Sequence, residues 1–353
     1  MRSTGPDLSS GLPAKAESLI TVVPAQPFWT ENLLFAFYDP DLDIGFWLHL
    51  GTIPNDWTMW EERVLVFLPA GEGSLAMWSF HRTTPERRPA AAGLEFRCID
   101  PFRKWKVRFD GYAVHASDDQ MIAGTAPPGE RRRLAIELDI ECATPVWDAQ
   151  ASSSSPFGTG GMRNQNWAKE HYEQLFRATG SITIGTDDHP FVGTGWRDHS
   201  RGPRGGGTGD EWGGHLIMGG LFPSGRGFVV SRYWTPEGRI NLEGAGVIDE
   251  HGLLHFAKVE QVPRVKSFEM AGESLPVALS WDEGRLDLEC ITRRSLWTPM
   301  RKKYAAAVDM TGSGFNYALN FSHCSWDEED AYVYSERSDM LNSPAQELWY
   351  GER

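Results

Sequence analysis

Residues 138–144 read Leu-Asp-Ile-Glu-Cys-Ala-Thr, and residues 286–292 read Leu-Asp-Leu-Glu-Cys-Ile-Thr. The two heptapeptides carry the same residue at five of seven positions, although they lie in different halves of a 353-residue chain. In both, apolar and acidic residues alternate, which is the pattern of a β-strand with one buried face. This match predicts a duplicated β unit, with convergence of two similarly patterned strands as the alternative.

The segments on either side of the heptapeptides are also short and alternate with period two. The predicted strands are 33–38, 45–50, 63–68, 74–80, 104–109, 134–142, 215–222, 227–234, 239–248, 253–259 and 285–292. Turn sequences such as Pro-Ser-Gly-Arg-Gly at 223–227 and Asp-Glu-Gly-Arg at 282–285 separate strands in the second half and are typical of hairpins. The chain is therefore predicted to be all-β, built from antiparallel meanders with little helix.

Residues 164–176 are the best helical candidate, because Trp167, His171 and Leu175 recur at every fourth position. The segment is short, and a turn followed by a strand explains it equally well.

A serine run at 152–155, followed by glycines at 158, 160 and 161, indicates a linker or mobile loop. We therefore predict a flexible N-terminus over residues 1–27, a first β-domain over 28–160 and a second over 161–353 that includes a C-terminal extension. The second copy of the unit would end near residue 295. The remaining residues would close one of the barrels or extend back across the first.

Composition excludes several classes of partner. The chain has 34 basic and 48 acidic residues, so its formal charge of −14 opposes binding to nucleic acid or to an anionic membrane surface. The N-terminus lacks an apolar core, and no stretch approaches the ~20 apolar residues that a membrane helix needs. We expect a soluble, cytoplasmic protein without membrane insertion, whose oligomeric state the sequence leaves open.

The four cysteines, Cys98, Cys142, Cys290 and Cys324, lie far apart and lack Cys-x-x-Cys spacing. We expect isolated reduced thiols, with Cys142 and Cys290 as equivalent small core residues in the two copies.

Residues 193–204 read Gly-Thr-Gly-Trp-Arg-Asp-His-Ser-Arg-Gly-Pro-Arg. The stretch holds an indole, an acid, an imidazole and three guanidinium groups, and buried charge is unfavourable unless it is paired. It therefore predicts a polar site in a partly enclosed place. If the stretch is extended, Trp196, Asp198 and Ser200 share one face, while Arg197, His199 and Arg201 share the other.

The motif at 193–204, together with His-Tyr-Glu-Gln at 171–174, resembles the hallmark of the AttH and carotenoid-hydratase-like group. The weaker likenesses are at 37–40, 51–55, 93–96 and 104–111. The resemblance runs from about residue 28 to 335 and implies two lipocalin-like antiparallel β-barrel or sandwich domains in tandem. It also implies an apolar, isoprenoid- or polyketide-like substrate, since characterised members of the superfamily are hydratases, cyclases or pericyclases.

The resemblance and the faces of the motif give candidate roles. Asp198 is the expected proton donor, and Glu173 could act as a base with His171 orienting or shuttling a proton. His199 is a further catalytic candidate. The expected substrate-binding residues are Trp196, Arg197, Tyr172, Arg201, Arg204, Trp212 and Trp57. A structural salt-bridge network of the arginines and a core position for Tyr172 are the alternatives.

With 15 tryptophans the chain could line an apolar cavity. The first-domain candidates for that wall are Trp29, Trp47, Trp57, Trp60 and Trp78, and the alternative for each is a plain core position. The histidines have no compact metal-ligand spacing, and the glycines at 202–209 lack the Lys-Ser/Thr ending of a phosphate loop. We therefore expect neither a metal nor a nucleotide cofactor.

Three functions remain open from the sequence. The favoured one is a cofactor-independent lyase or isomerase (a hydratase, dehydratase or cyclase) acting on an apolar unsaturated small molecule by general acid–base catalysis. The others are a lipocalin-type carrier of a hydrophobic ligand without turnover and a glycoside-active β-sandwich enzyme that uses paired carboxylates.

Overall fold

The computed structural model of the chain is nearly all β, with 65% strand and 5% helix, which confirms the predicted class. It describes residues 6–19, 22, 25–54, 56–84, 89–122, 130–165, 167–204, 213–265, 269–300, 303–304, 307–308 and 315–339. Among these residues, none of the helices has the length and apolar character needed to cross a membrane.

Twenty-one strands lie within the described ranges. The first eleven are β1 (Trp29–Asp39), β2 (Ile44–Ile53), β3 (Asp56–Phe67), β4 (Ser74–Arg82), β5 (Leu94–Asp100), β6 (Lys104–Ala116), β7 (Arg131–Cys142), β8 (Trp147–Asp148), β9 (Thr159–Gly160), β10 (Glu170–Ile184) and β11 (Asp187–Pro203). The others are β12 (Gly214–Leu221), β13 (Gly227–Trp234), β14 (Ile240–Ile248), β15 (Leu254–Gln261), β16 (Ser274–Trp281), β17 (Gly284–Met300), β18 (Lys303–Tyr304), β19 (Ala307–Val308), β20 (Phe315–Trp326) and β21 (Glu329–Asp339). The helical segments are the 3₁₀ turns Ala14–Glu17 and Met162–Asn164 and the short helices α1 (Asp118–Ile122) and α2 (Ala149–Ser153).

Eight strands form a closed first barrel. In chain order β1, β2, β3, β4, β6, β7, β10 and β11 each pair antiparallel with the next, and β11 returns to pair with β1. Strand β5 adds to β6, and β8 adds to β10. This up-and-down closure leaves no free edge in the ring.

The second sheet closes in the same way. Strands β12, β13, β14, β15, β16, β17, β20 and β21 follow one another in an antiparallel meander, and β21 pairs back with β12. The last strands, at 315–339, therefore close the second barrel, which is one of the two placements expected for the C-terminal residues.

The two heptapeptides occupy the same place in the two meanders. Residues 138–144 begin in β7 and residues 286–292 lie in β17, and each of these strands is the sixth of its barrel. Their inward residues are Leu138, Ile140 and Cys142 in the first barrel and Leu286, Leu288 and Cys290 in the second. This equivalence supports the duplication inferred from the sequence.

The boundary between the sheets differs from the domain boundary predicted at 160/161. Strands β10 and β11 lie beyond residue 161, yet they belong to the first barrel, because that barrel needs both strands to complete its ring. The serine-rich stretch is packed, since Ser152 is buried and its Oγ donates to Ala245 O at 3.1 Å. Part of the supposedly flexible N-terminus is also docked, with Leu8 and Glu17 buried against the first barrel.

Residues 164–176 form a turn followed by a strand, so the helical interpretation is wrong. The 3₁₀ turn Met162–Asn164 leads into β10, which pairs on both sides with β11 and β7. Two flanking strands supply its backbone hydrogen bonds, and this tertiary pairing outweighs the weak helical spacing.

The apolar residues form three layers. One fills the first barrel, one fills the second, and the third lies between the barrels. Representative members of the middle layer are Ala36, Trp47, Trp196, Val229, Phe321 and Tyr334. The barrels are therefore joined by an apolar interface, and residues facing outward from both can be buried there.

The glycines of the 193–204 motif serve strand packing. A Cβ at Gly195 would lie 2.3 Å from the Ala36 carbonyl oxygen and 2.5 Å from Phe176 Cζ, and one at Gly193 would lie 2.3 Å from the Tyr38 carbonyl oxygen. Close approach of β11 to β1 explains both positions.

All four cysteines are free thiols, but they are not all isolated. Cys290 and Cys324 lie on the paired strands β17 and β20 inside the second barrel. A hydrogen bond between their thiols, together with burial, raises the pKa of Cys290. This contact could not be predicted from the sequence, because 33 intervening residues separate the two positions.

Candidate active site between the two barrels

The motif is an extended strand, β11, with the two faces expected from its alternation. Trp196, Asp198 and Ser200 point out of the first barrel toward the second, whereas Arg197 and His199 point inward. The neighbouring strand β10 pairs in register with β11 and brings His171 opposite Ser200 and Glu173 opposite Asp198. The outward residues of these two strands therefore form one polar cluster at the barrel interface.

Glu173 is held in this cluster by three hydrogen bonds. It is fully buried, and its Oε1 accepts hydrogen bonds from His171 Nε2 and from Ser231 Oγ, both at 2.8 Å. Its Oε2 accepts from the Trp196 indole at 2.8 Å. Since Ser231 belongs to β13 of the second barrel, Glu173 also ties the two barrels together. Three donors thus converge on the two carboxyl oxygens of Glu173.

His171 stands between two carboxyl groups. Its Nε2 contacts Glu173, and its Nδ1 lies 3.5 Å from Asp198 Oδ2. Burial alone would lower the pKa of His171, but the hydrogen bond to Glu173 and the charges of Glu173 and Asp198 outweigh it and raise the pKa. The imidazole can therefore hold a proton beside Asp198.

Asp198 is the least satisfied member of the cluster. Its Oδ1 is buried without a hydrogen-bond partner among the described residues, and its side chain remains 13% exposed. Burial raises its pKa from the ordinary 3.8 to about 7, against the opposing charges of His171 and Arg204. A carboxyl group that is protonated near neutrality, next to an indole, is suited to donate a proton.

Arg204 ends the motif on the same side. Its Nη2 donates to Ser200 Oγ at 2.7 Å, and its guanidinium lies 6.0 Å from the Trp167 ring. The structure thus brings Arg204 to the cluster, as predicted for a substrate-binding residue, although binding itself stays a prediction.

The other face of β11 lies in a separate buried network. Arg197 Nη2 donates to Glu17 Oε1 at 2.7 Å and to Gln174 Oε1 at 2.6 Å, and its guanidinium lies 5.2 Å from the Trp105 ring. Because Glu17 lies in the N-terminal 3₁₀ turn, the ion pair fixes that turn to β11. This geometry favours the structural-network alternative for Arg197 over contact with a substrate.

His199 belongs to the same network and not to the cluster around Asp198. Its Nε2 lies 2.8 Å from Glu31 Oε1 and its Nδ1 lies 2.7 Å from the Tyr172 hydroxyl. Burial lowers the pKa of His199, more than the hydrogen bond to Glu31 raises it. The ring is therefore neutral, so Nε2–H donates to Glu31 and Nδ1 accepts from Tyr172.

Arg201 completes the inner network. Its Nε donates to Glu31 at 2.7 Å and its Nη1 to Glu170 at 3.2 Å. The structure thus does not place Arg197, His199, Arg201 or Tyr172 at the candidate site, because period-two alternation turns them into the first barrel.

The predicted tryptophans are dispersed. Trp60 packs inside the first barrel, Trp47 lies in the layer between the barrels, and Trp78 donates to Glu61 at 2.7 Å. Trp57 is buried on β3, outside the cluster around Asp198, and Trp212 lies outside the described residues. Trp60 and Trp47 therefore take core positions, which was the alternative for each of these residues.

Residues of the second barrel were missed by the sequence analysis. Ser231, Tyr233, His215, Tyr334 and Glu336 face the cluster, and Tyr334 stacks on Trp196 with ring centroids 5.3 Å apart. No local motif marks these residues, since only the docking of the barrels brings them to the site. Within the ranges that the structure describes, no group of three or more His, Cys, Asp or Glu side chains is arranged to hold a metal ion.

The raised pKa of Asp198 predicts a pH-dependent stability. Between about pH 4 and pH 7 the folded protein keeps a proton on Asp198 that the unfolded chain has released, so the free energy of unfolding falls as the pH rises. His171 acts in the same direction, because its raised pKa stabilises the folded state at low pH and that contribution is lost as pH rises through the folded pKa.

Asp198→Asn should remove the larger part of this pH dependence of the free energy of unfolding. We expect the variant to match the native protein near pH 4 and to exceed its free energy of unfolding at pH 8.5 by at most about 4 kcal/mol, from three pKa units at about 1.4 kcal/mol each. Urea unfolding of both proteins at the two pH values measures the difference. A difference that does not change with pH would contradict the assignment.

The sequence matches a family model described as a domain of unknown function, DUF7064, over residues 16–311. No curated protein sequence matches the chain significantly.

Solved structures show the same fold. A protein assigned as AttH (NE1406) from Nitrosomonas europaea matches 90% of this chain and 98% of its own at 12% identity and a TM-score of 0.52. CghA matches 96% of this chain and 94% of its own at 10% identity and a TM-score of 0.51. Kievitone hydratase from Nectria haematococca is similar at a TM-score of 0.46, with 10% identity over 95% of this chain and 97% of its own. The first two confirm the fold expected from the AttH-like resemblance.

Proposed function

Because this chain belongs to the DUF7064 family, whose description assigns no function, we propose one from the geometry of the site between its barrels. The protein is a cofactor-independent lyase or isomerase, of the hydratase, dehydratase or cyclase type. Its substrate is an apolar unsaturated small molecule of isoprenoid- or polyketide-like character. Asp198 donates the proton that starts the reaction.

One observation carries this proposal. Asp198 presents a carboxyl group whose Oδ1 has no hydrogen-bond partner among the described residues, within an otherwise buried, aromatic-rich interface. Protonating an alkene or enol needs an acid in apolar surroundings, and the electron-deficient carbon that results is stabilised by an aromatic face. Trp196, two residues away on the same face of β11, supplies such a face.

His171 and Glu173 support the acid without being donors themselves. Glu173 holds His171 by a hydrogen bond, and His171 lies 3.5 Å from Asp198 Oδ2, so the three side chains can return a proton to Asp198 after each turnover. The glycosidase alternative is less well supported. Glu173 is the carboxylate opposite Asp198, but it is fully buried and accepts three hydrogen bonds, so it cannot reach a sugar ring.

The test is turnover in D₂O. Linear isoprenoid polyenes and polyketide-like enols are first screened for binding by quenching of tryptophan fluorescence, and the compounds that bind are then incubated with the protein. We expect a product that carries deuterium on carbon, detected by mass spectrometry, at a rate that a chelator leaves unchanged. Tight binding without any product would favour the carrier alternative. A rate that is lost with the chelator and restored by a metal would contradict the cofactor-independent mechanism.

A further inference from the structure

The second barrel contributes its own carboxyl group to the same interface. Glu336, on β21, accepts a hydrogen bond from His215 Nε2 at 3.0 Å and one from the Tyr334 hydroxyl at 2.9 Å. The other ring nitrogen of His215 lies 2.7 Å from Ser338 Oγ. The Glu336 side chain is 9% exposed, whereas His215 behind it is buried. A carboxyl group with slight exposure, backed by a buried imidazole, is thus present on this side as well.

Glu336 and Asp198 hold equivalent places in the two barrels. Each lies on the eighth strand of its meander, β21 or β11, and each contacts a buried histidine that also contacts a second polar side chain. Each also lies two residues beyond an aromatic ring, Tyr334 or Trp196, and these two rings stack on one another. The arrangement repeats across the interface.

A continuous chain of rings connects the two histidines. His171 contacts Trp167 with centroids 6.2 Å apart, and Trp167 contacts Tyr233 at 4.7 Å. Tyr233 in turn stacks on His215 at 5.5 Å with an interplanar angle of 17°. The charge of Glu336 is also one of the influences that raise the pKa of Asp198, after burial. The two carboxyl groups therefore lie at the same barrel interface, where the charge of one acts on the other.

We propose that Glu336 is a second catalytic group of this site, a base that takes a proton on the side of the substrate opposite Asp198. The proposal deepens the proposed function and rests on it for the role of Asp198. It favours reactions in which one group gives a proton and another takes one, of which the addition and elimination of water are examples.

In the addition reaction, water adds across a carbon–carbon double bond of the substrate. The π electrons of the alkene take the proton of Asp198, a C–H bond forms, and the neighbouring carbon becomes electron-deficient. A lone pair of water forms the C–O bond, and the proton that this water loses passes to Glu336. Asp198 is then ionised and Glu336 protonated, and exchange with solvent water resets both. Dehydration is the same sequence in reverse.

Glu336 can be tested without knowing the substrate. 5-Nitrobenzisoxazole is a planar, apolar probe whose ring opens when a carboxylate removes its C3 proton. The C–H pair forms the nitrile, the N–O bond breaks, and a coloured phenolate is released with no other reactant. At pH 6 we expect the protein to open the probe more than about tenfold faster than the same concentration of acetate, and Glu336→Gln to lose most of that rate.

One variant serves as a matched control. Glu243→Gln changes another 9%-exposed glutamate of the second barrel, which pairs with Arg232, and should leave the rate unchanged. Full activity of Glu336→Gln, no rate above acetate in the native protein, or loss of the rate in Glu243→Gln would each overturn the proposal.

Tyr334→Phe covers the case in which Glu336→Gln does not fold. It removes one hydrogen bond to Glu336 Oε2 and leaves a more basic carboxylate, so the rate of probe opening should rise by up to about tenfold. An unchanged rate would contradict a role for Glu336. If no compound gives a deuterated product in D₂O but the Glu336 variants change the rate of probe opening as expected, the proposed function is rejected and the role of Glu336 as a base is kept.

Discussion

Asp198→Asn is expected to lower the turnover of an alkene that the native protein converts by about 10²–10⁴-fold, which is the usual loss when a positioned general acid is removed. The amide keeps the shape of the carboxyl group but cannot give up a proton of comparable acidity. Because Asp198 Oδ1 has no hydrogen-bond partner among the described residues and Oδ2 only approaches His171 Nδ1 at 3.5 Å, the fold should tolerate the change. The dissociation constant for the substrate, measured by tryptophan quenching, should stay nearly constant while kcat falls.

Asp339→Asn provides a matched control for this variant. Asp339 is a buried aspartate on the eighth strand of the second barrel, where it pairs with Arg264 at 2.6 Å. Its replacement should leave kcat unchanged. If Asp198→Asn keeps the full rate, Asp198 is not the acid and its proposed role is rejected. If the variant unfolds at pH 6, Asp198 is a structural residue.

The sequence was most informative where structure is set by local alternation. The match between residues 138–144 and 286–292 identified two strands that prove to be the sixth of eight in each barrel. The alternation of apolar and acidic residues fixes which side of each strand is buried, so the inward positions of Cys142 and Cys290 followed directly. Which strands close each ring did not follow, because β11 meets β1 across more than 150 residues.

Local alternation also predicted part of the candidate site. Period-two geometry placed Trp196 and Asp198 on one face of the motif and His199 on the other, as the structure shows. The alternation does not reveal which face meets the second barrel. The apolar layer between the barrels decides that, and it also brings Ser231 and Glu336 to the site from strands with no recognisable motif.

Arg197→Met is expected to lower the free energy of unfolding by about 3–5 kcal/mol, the effect of leaving one partner of a buried ion pair uncompensated. Arg197 and Glu17 are each only 1% exposed at the side chain and meet at 2.7 Å. Without the guanidinium, the Glu17 carboxylate must stay buried or take the N-terminal 3₁₀ turn out of the barrel with it. Glu17 Oε2 has no hydrogen-bond partner among the described residues, so loss of Arg197 removes the cation that meets this carboxylate at its other oxygen.

A double-mutant cycle separates the ion pair from packing. Glu17→Gln alone leaves the charged Arg197 buried without its carboxylate partner, so this variant should also be destabilising. Gln174 and the face of Trp105 still contact the guanidinium in it. Arg197→Met with Glu17→Gln removes both charges and should recover part of the lost stability, since an apolar replacement of a whole buried pair is often neutral. Urea unfolding of the four proteins gives the coupling free energy. Single variants that each lose less than about 1 kcal/mol would show that water reaches this pair, and the inner network would then not be what fixes the N-terminal turn to the barrel.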